Sequence, residues 1–203
     1  MIDSYRTVAR PASARITRKK SRFLADAFPV SSLEEAEHEL AGVRRRNHDA
    51  SHHCFAYRLL TNDGPLNRSE DAGEPSGSAG LPILQRLEAA DLLNVLVVVT
   101  RYFGGTKLGV GGLVRAYGDA AQEVLEVGDI VERRLRVEVS IDFPIEVNSG
   151  VMATIHRHQA RVVEIGYDGT PHARVALPPS GIEPFHDAIV EATGDRARIE
   201  IEG

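Results

Sequence analysis

Three stretches of this chain gather side chains able to do chemistry. His52-His53-Cys54-Phe55-Ala56-Tyr57 sets two imidazoles beside the sequence's single thiol. Glu70-Asp71-Ala72-Gly73-Glu74-Pro75-Ser76-Gly77-Ser78-Ala79-Gly80 carries three carboxylates, of which Asp71 and Glu74 lie among turn-forming residues. Arg101-Tyr102-Phe103-Gly104-Gly105-Thr106-Lys107-Leu108-Gly109-Val110-Gly111-Gly112-Leu113-Val114-Arg115-Ala116-Tyr117 threads glycines between cations. An imidazole with a thiol suggests a nucleophile and its base, or metal ligands. Neighbouring carboxylates suggest general acid–base work. Glycines leading into a helix, flanked by cations, suggest an anion cradle.

The glycine stretch joins a buried strand to a helix, so backbone N–H groups near Gly109, Gly111 and Gly112 are free to meet an anion. Neither nucleotide motif is satisfied. A P-loop ends its spacing in Gly-Lys-Ser/Thr, whereas Gly109 is followed by Val110 and Gly111; the dinucleotide fingerprint fails at Val114, where its last glycine belongs. Nucleoside triphosphate and NAD are therefore not expected, and no cofactor is assigned. A phosphate or a nucleic-acid backbone is the expected ligand. The alternative is that the glycines let the helix start lie flat on the sheet.

The other two stretches read differently. Strand side chains alternate, so His52 and Cys54 face one way and His53 the other. Two ligands on one face are not a metal site, Asp71 and Glu74 would complete one only if their loop folded over, and no metal is expected. Same-face neighbours lie about 7 Å apart along a strand, too far for a Cys–His dyad, and Cys54 reads as a small buried residue. Nothing local sets the ionisation of Asp71 and Glu74 apart, so solvated, turn-forming roles are expected. A cleft between the 70–80 loop and the glycine-rich turn, holding His52, His53, Asp71 and Glu74, stands as the enzymatic alternative, for a hydrolase or transferase, with no catalytic residue assigned.

These segments need elements to hold them. Phe23, Ala25 and Ala27 alternate in a strand over residues 22–30; Ser32 with Glu35 forms a capping box for a helix carrying Leu33, Ala36, Leu40 and Val43. Residues 53–60 read as a strand, 61–80 as one long loop, and 94–103 as a strand whose unbroken apolar run implies burial on both faces. Pro82 opens a short helix with Ile83, Leu84 and Leu87 inward, and Leu113 to Val124 lie at helical spacing. After residues 128–133 the pattern becomes β-α-β-β-α-β: strands over 135–143, 160–167, 171–177 and 197–201, and helices over 148–158 and after a second capping box, Ser180 with Glu183. Asp168-Gly169 marks the hairpin turn, and Gly194 stops the second helix. The fold class is α+β in two domains, residues 1–132 and 133–203.

One cysteine excludes an intrachain disulfide and a Cys-based zinc finger. The N-terminus lacks a signal peptide's apolar core, and no apolar run approaches the roughly 20 residues of a membrane span; a cytoplasmic protein with no membrane partner is expected. Net charge is −5. Residues 134–203 carry seven Lys/Arg against eleven Asp/Glu, while the first 133 are near balance with positive charge bunched at Arg15, Arg18, Lys19, Lys20, Arg22 and at Arg44, Arg45, Arg46. A bunched basic patch holds phosphates even on an acidic chain; the plainer reading is a solvated surface.

The three segments, with Lys19-Lys20-Ser21-Arg22-Phe23 ahead of them, resemble the YigZ/IMPACT family over most of residues 15–125, with four motifs in the family's order. Residues 134–203 look like the ferredoxin-like domain of its bacterial branch, by topology and position more than by motif. The resemblance implies a first domain like the second domain of ribosomal protein S-five and a second like the last domain of elongation factor G. Eukaryotic members restrain the kinase that slows translation initiation under amino-acid starvation, by competing for its activator through an N-terminal domain not expected here. The reading that follows is a non-enzymatic, translation-linked regulator whose partner is RNA, the ribosome or a translation-regulatory protein. Lys19, Lys20, Arg22, Arg101, Lys107 and Arg115 would contact phosphates beside Gly109, Gly111 and Gly112, with Tyr102, Phe103 or Tyr117 stacking on a base. A pure protein-interaction module is the third alternative.

Overall fold

Over residues 2–202, which the computed structural model describes, these patterns resolve in chain order into β1 (Ser4–Val8), β2 (Ala12–Arg18), β3 (Ser21–Pro29), α1 (Leu33–Arg46), β4 (His52–Thr61), β5 (Gly64–Glu70), α2 (Gly80–Ala89), β6 (Val95–Tyr102), α3 (Val110–Val127) and β7 (Ile130–Arg134). There follow β8 (Val137–Asp142), α4 (Asn148–Arg157), β9 (Arg161–Gly166), β10 (His172–Leu177), α5 (Ile182–Thr193) and β11 (Arg198–Glu202). The fold is α+β. Arg6–Glu132 forms one unit; the residues from Arg133 onward form the other, together with those before Arg6. No helix among the described residues is long and apolar enough to cross a membrane.

In the first unit an antiparallel sheet has the order β2-β3-β6-β4-β5. The apolar run of β6 occupies its centre, where both faces need cover. Val95, Val97 and Val99 meet Phe23, Ala25, Ala27, Cys54 and Ala56 beneath α2 and α3, while Leu96 and Val98 meet Phe55, Tyr57 and Leu59 beneath α1. The result is three layers with a core on each side of the sheet.

One expectation here is corrected. Residues 61–80 are not one loop, because Gly64–Glu70 pairs with β4 as the edge strand β5. Its side chains are largely exposed; hydrogen bonding rather than apolar burial holds it, so it left no hydrophobic pattern to read. The loop proper is residues 71–79. The strands β1, β2 and β7 also went unread; β2 offers its core side only the small Ala12 and Ala14 with Ile16.

The second unit has the predicted βαββαβ order, with an antiparallel sheet ordered β11-β8-β10-β9. Its core joins Val139, Ile141, Phe143, Val175 and Leu177 to Val151, Ile155, Phe185 and Ile189. Gly169 and Gly194 both take positive φ, at +86° and +59°. The second capping box does not form. Ser180 lies before the Gly181 N-cap, and its N–H and hydroxyl both donate to the Asp3 carboxylate. At Ser32 the cap forms as expected, its hydroxyl accepting from Glu35 N–H.

Candidate functional site

Alternation along three neighbouring strands builds one buried polar cluster. On the α2/α3 side of the sheet, β3 presents Ser21 and Phe23, β4 presents His52 and Cys54, and β6 ends in Arg101. The 71–79 loop brings Glu74 to that end. Its side chain is only 4% exposed and its Oε1 accepts from Arg101 Nη1 at 2.6 Å and from the Tyr117 hydroxyl at 2.8 Å. Arg101, 7% exposed, also reaches Ser21 Oγ at 3.4 Å and lies over the rings of Phe23 and Phe103. Its Nε has no hydrogen-bond partner among the described residues. Burial, with Cys54 and Glu74 nearby, drives the Tyr117 hydroxyl far above its ordinary value, so it stays a donor.

Asp71 organises the loop from within. Its carboxylate accepts from the N–H groups of Gly77, Ala79 and Gly80, at 2.7–2.9 Å, which closes the loop onto the start of α2. Burial opposes the charge, yet those bonds hold the carboxyl below its ordinary value. Gly80 lies so close to the Glu70 backbone that a Cβ would collide with it. His52 Nδ1–H donates to the Ala72 carbonyl at 2.9 Å, leaving Nε2 3.9 Å from Glu74. The Cys54 thiol donates to the Asp71 carbonyl, and burial pushes it up to about 12. A fully protonated thiol with its hydrogen engaged is not a nucleophile at neutral pH.

Several expectations change accordingly. Glu74 is buried and ion-paired rather than solvated. Arg101 spends its charge on Glu74 inside the core, so it is withdrawn from any phosphate surface. Arg22 sits opposite Tyr102 on the α1 side of the sheet, stacked 4.6 Å above that ring, and does not share a face with Arg101. Tyr117 is wholly buried and cannot stack on a base. Tyr102 is half-buried with its hydroxyl donating to Asn47 and Asp49; only Phe103, 51% exposed, is open. His52, Asp71 and Glu74 do come together, but His53 lies on the α1 side, against the Asn47 carbonyl. The four do not share a cleft, and both carboxylates that would serve it are committed to structural bonds. Among the described residues no group of three or more His, Cys, Asp and Glu is gathered as metal ligands would be.

What stays at the surface is a smaller group. The two-residue turn between β2 and β3 is Lys19-Lys20, at φ 44° and 66°. Such left-handed turn positions favour Asn and Gly. Gly104 packs directly on this turn, where any Cβ would overlap the backbone of Lys20 and Ser21, and its N–H donates to Ser21 Oγ. Lys107, three residues on, is within about 11 Å of Gly104 by chain length alone. Gly109, at φ +74°, opens α3 without a side-chain cap, and Arg115 Nη1 lies 3.8 Å from the Cβ position of Gly111 in its first turn. Lys19, Lys20, Lys107 and Arg115 are exposed, and none has a carboxylate partner among the described residues.

Ser21 is the contributor that sequence reading missed. Strand alternation places it with Phe23, and the signal was its position two residues before a core aromatic.

The Impact N-terminal domain family matches residues 19–125. An IMPACT family member of Thermus thermophilus is 40% identical over 186 residues, covering 91% of this chain and 99% of that protein. YvyE of Bacillus subtilis, also an IMPACT family member, is 42% identical over 135 residues, 66% of this chain and 62% of its own length. The rat protein IMPACT is 36% identical over 100 residues, 47% of this chain and 31% of that protein. A crystal structure of a hypothetical protein, 28% identical, superposes with a TM-score of 0.70 over 98% of this chain and 97% of the other.

Proposed function

From the premise that this chain belongs to the IMPACT family, we propose that it is a non-enzymatic regulator linked to translation, which binds RNA through the Lys19-Lys20 turn and the glycine-rich turn beside it. The observation that carries this reading is the packing of Gly104 on the lysine turn. It draws two cationic segments, far apart in sequence, to one end of the sheet. A left-handed residue other than glycine costs roughly 1–2 kcal/mol, so two lysines in such a turn are favoured by their charge rather than by the backbone. Lys19, Lys20, Lys107 and Arg115 contact phosphates, the uncapped N–H groups at the start of α3 add anion affinity, and Phe103 offers a stacking face.

Kinship of the first unit with the second domain of ribosomal protein S-five, and of the second with the last domain of elongation factor G, is part of the same proposal. Both kinds of domain occur in proteins that meet RNA. The protein-interaction reading draws on β9, an edge strand exposing Val162 and Val163, because open edges pair with other chains.

The test is the salt dependence of RNA binding. Phosphate-driven affinity falls linearly on a log–log plot against salt, with a slope of about −0.7 per phosphate neutralised on a single strand. Purified protein is expected to bind single-stranded RNA with such a slope, and Lys20→Ala with Lys107→Ala is expected to flatten it. Salt-insensitive binding, or none, overturns the reading.

A further inference from the structure

The α1 side of the sheet carries a second group of cations that the glycine turn does not use. Arg15 and Arg22 lie on neighbouring strands, with Arg15 opposite Leu24 and Arg22 opposite Thr17. Residues opposite each other share a face, as do residues two apart. Arg15, Thr17, Arg22 and Leu24 therefore project together, and the two arginines have Cα atoms about 8 Å apart by strand geometry. A recess of about 430 Å³ opens beside them, lined by Ser13, Arg15, Leu24, Asp26, Arg46 and Asn47. It brings Arg46, at the end of α1, to the same place as Arg15.

Two nearby carboxylates keep their charge but bond hydroxyls rather than the arginines, and Asp26 lines the same recess. Asp26 accepts from the Ser13 hydroxyl, and Asp49 from that of Tyr102. Among the described residues none pairs with Arg15, Arg22 or Arg46, and all three are exposed. Arginines in the last turn of α1 offset the helix dipole, but that does not account for Arg15 or Arg22, which stand on strands. The Lys19-Lys20 turn joins the two groups: Lys20 is two residues from Arg22 on one side and lies against Gly104 on the other.

We propose that a single RNA strand held at the glycine-rich turn passes over the Lys19-Lys20 tip onto the α1 side, where Arg15, Arg22 and Arg46 hold a second set of its phosphates. This rests on the RNA reading above and extends it, because a cationic track turning around the sheet's end accommodates several nucleotides rather than one anion. The track selects a flexible strand; a duplex cannot follow so tight a turn, given its stiffness over tens of base pairs.

The full chain is titrated against fluorescent oligouridines of about four and about twelve nucleotides, both within the roughly 4–16 nucleotides of known single-strand sites, across a range of salt. Arg15→Ala with Arg46→Ala is expected to leave the short oligonucleotide within about twofold, weaken the long one, and lower its salt slope by about 1.4, two contacts' worth. Arg15→Lys with Arg46→Lys, which keeps both charges, is expected to restore that slope. If the alanine pair leaves the long oligonucleotide's slope unchanged while Lys20→Ala with Lys107→Ala flattens it, the extension is overturned and the glycine-turn reading stands. If wild-type protein binds neither oligonucleotide, both fall together. Loss of the slope in the alanine pair with an unchanged unfolding midpoint supports the extension.

Discussion

The two sides of the five-stranded sheet treat the same residue type in opposite ways. On the α2/α3 side Arg101 is enclosed, paired with Glu74 and set over two phenyl rings. On the α1 side, one strand over, Arg22 lies exposed on Tyr102 with no carboxylate partner among the described residues. The difference follows from cover. Two helices and a folded loop close the first side, so a charge there must be neutralised; a single helix leaves the end of the second side open to water. A cation flanking a glycine-rich turn is thus a structural clamp or a ligand contact according to which face of the pleat it occupies.

The sharpest way to break this comparison is to remove the counter-charge. Glu74→Ala leaves Arg101 buried and unpaired, and is expected to cost about 3–5 kcal/mol in denaturant unfolding. Adding Arg101→Met should recover most of that loss, since a buried pair replaced by apolar groups is often neutral. If the single change costs nothing, Arg101 is not enclosed as described.

Tyr117→Phe removes a buried hydroxyl donating to the same carboxylate. The expected loss is about 1.5–3 kcal/mol, the range for hydrogen bonds to charged groups, with RNA affinity unchanged. Gly104→Ala forces the glycine turn off the lysine turn. It is expected to cost about 1–3 kcal/mol, as overpacking does, and to weaken RNA binding as well, which separates it from Tyr117→Phe.

A pH titration sharpens the loop's part. The folded pKa of Asp71 lies below its ordinary value of 3.8, so the folded state binds fewer protons there than the unfolded one. Its contribution to stability is full above pH 3.8 and is lost as pH falls through that value and then through the lower folded pKa. Asp71→Asn should lose about 1 kcal/mol at neutral pH, a typical cap contribution, and show a smaller loss on acidification below pH 3.8 than wild type. The smallest expected effect on stability is that of Lys20→Ala with Lys107→Ala, within about 0.5 kcal/mol for such exposed sites, while the salt slope of RNA binding falls.

Legibility in the sequence tracked how much apolar surface an element buries. The strand at β6, the helix α3 and all of the βαββαβ order were readable because their cores impose a period. β5 was missed because an edge strand of Pro65, Asn67 and Arg68 is satisfied by backbone bonding and water. At the candidate site the opposite orientations of His52 and His53 followed from strand alternation, as did the buried character of Cys54. The state of Glu74 did not. No local rule says that a glutamate in a turn-rich loop will be carried into the core to meet an arginine 27 residues away.

The sequence alone fixed where the strands and helices that bury large apolar faces lie, and which side chains share a face, because both depend on periods of two and 3.6 residues along the chain. Which charges are spent inside and which remain for a ligand was decided only by tertiary structure. Neutralisation depends on distances between segments that the chain brings together through folding, as when Gly104 meets Lys20 and Glu74 meets Arg101.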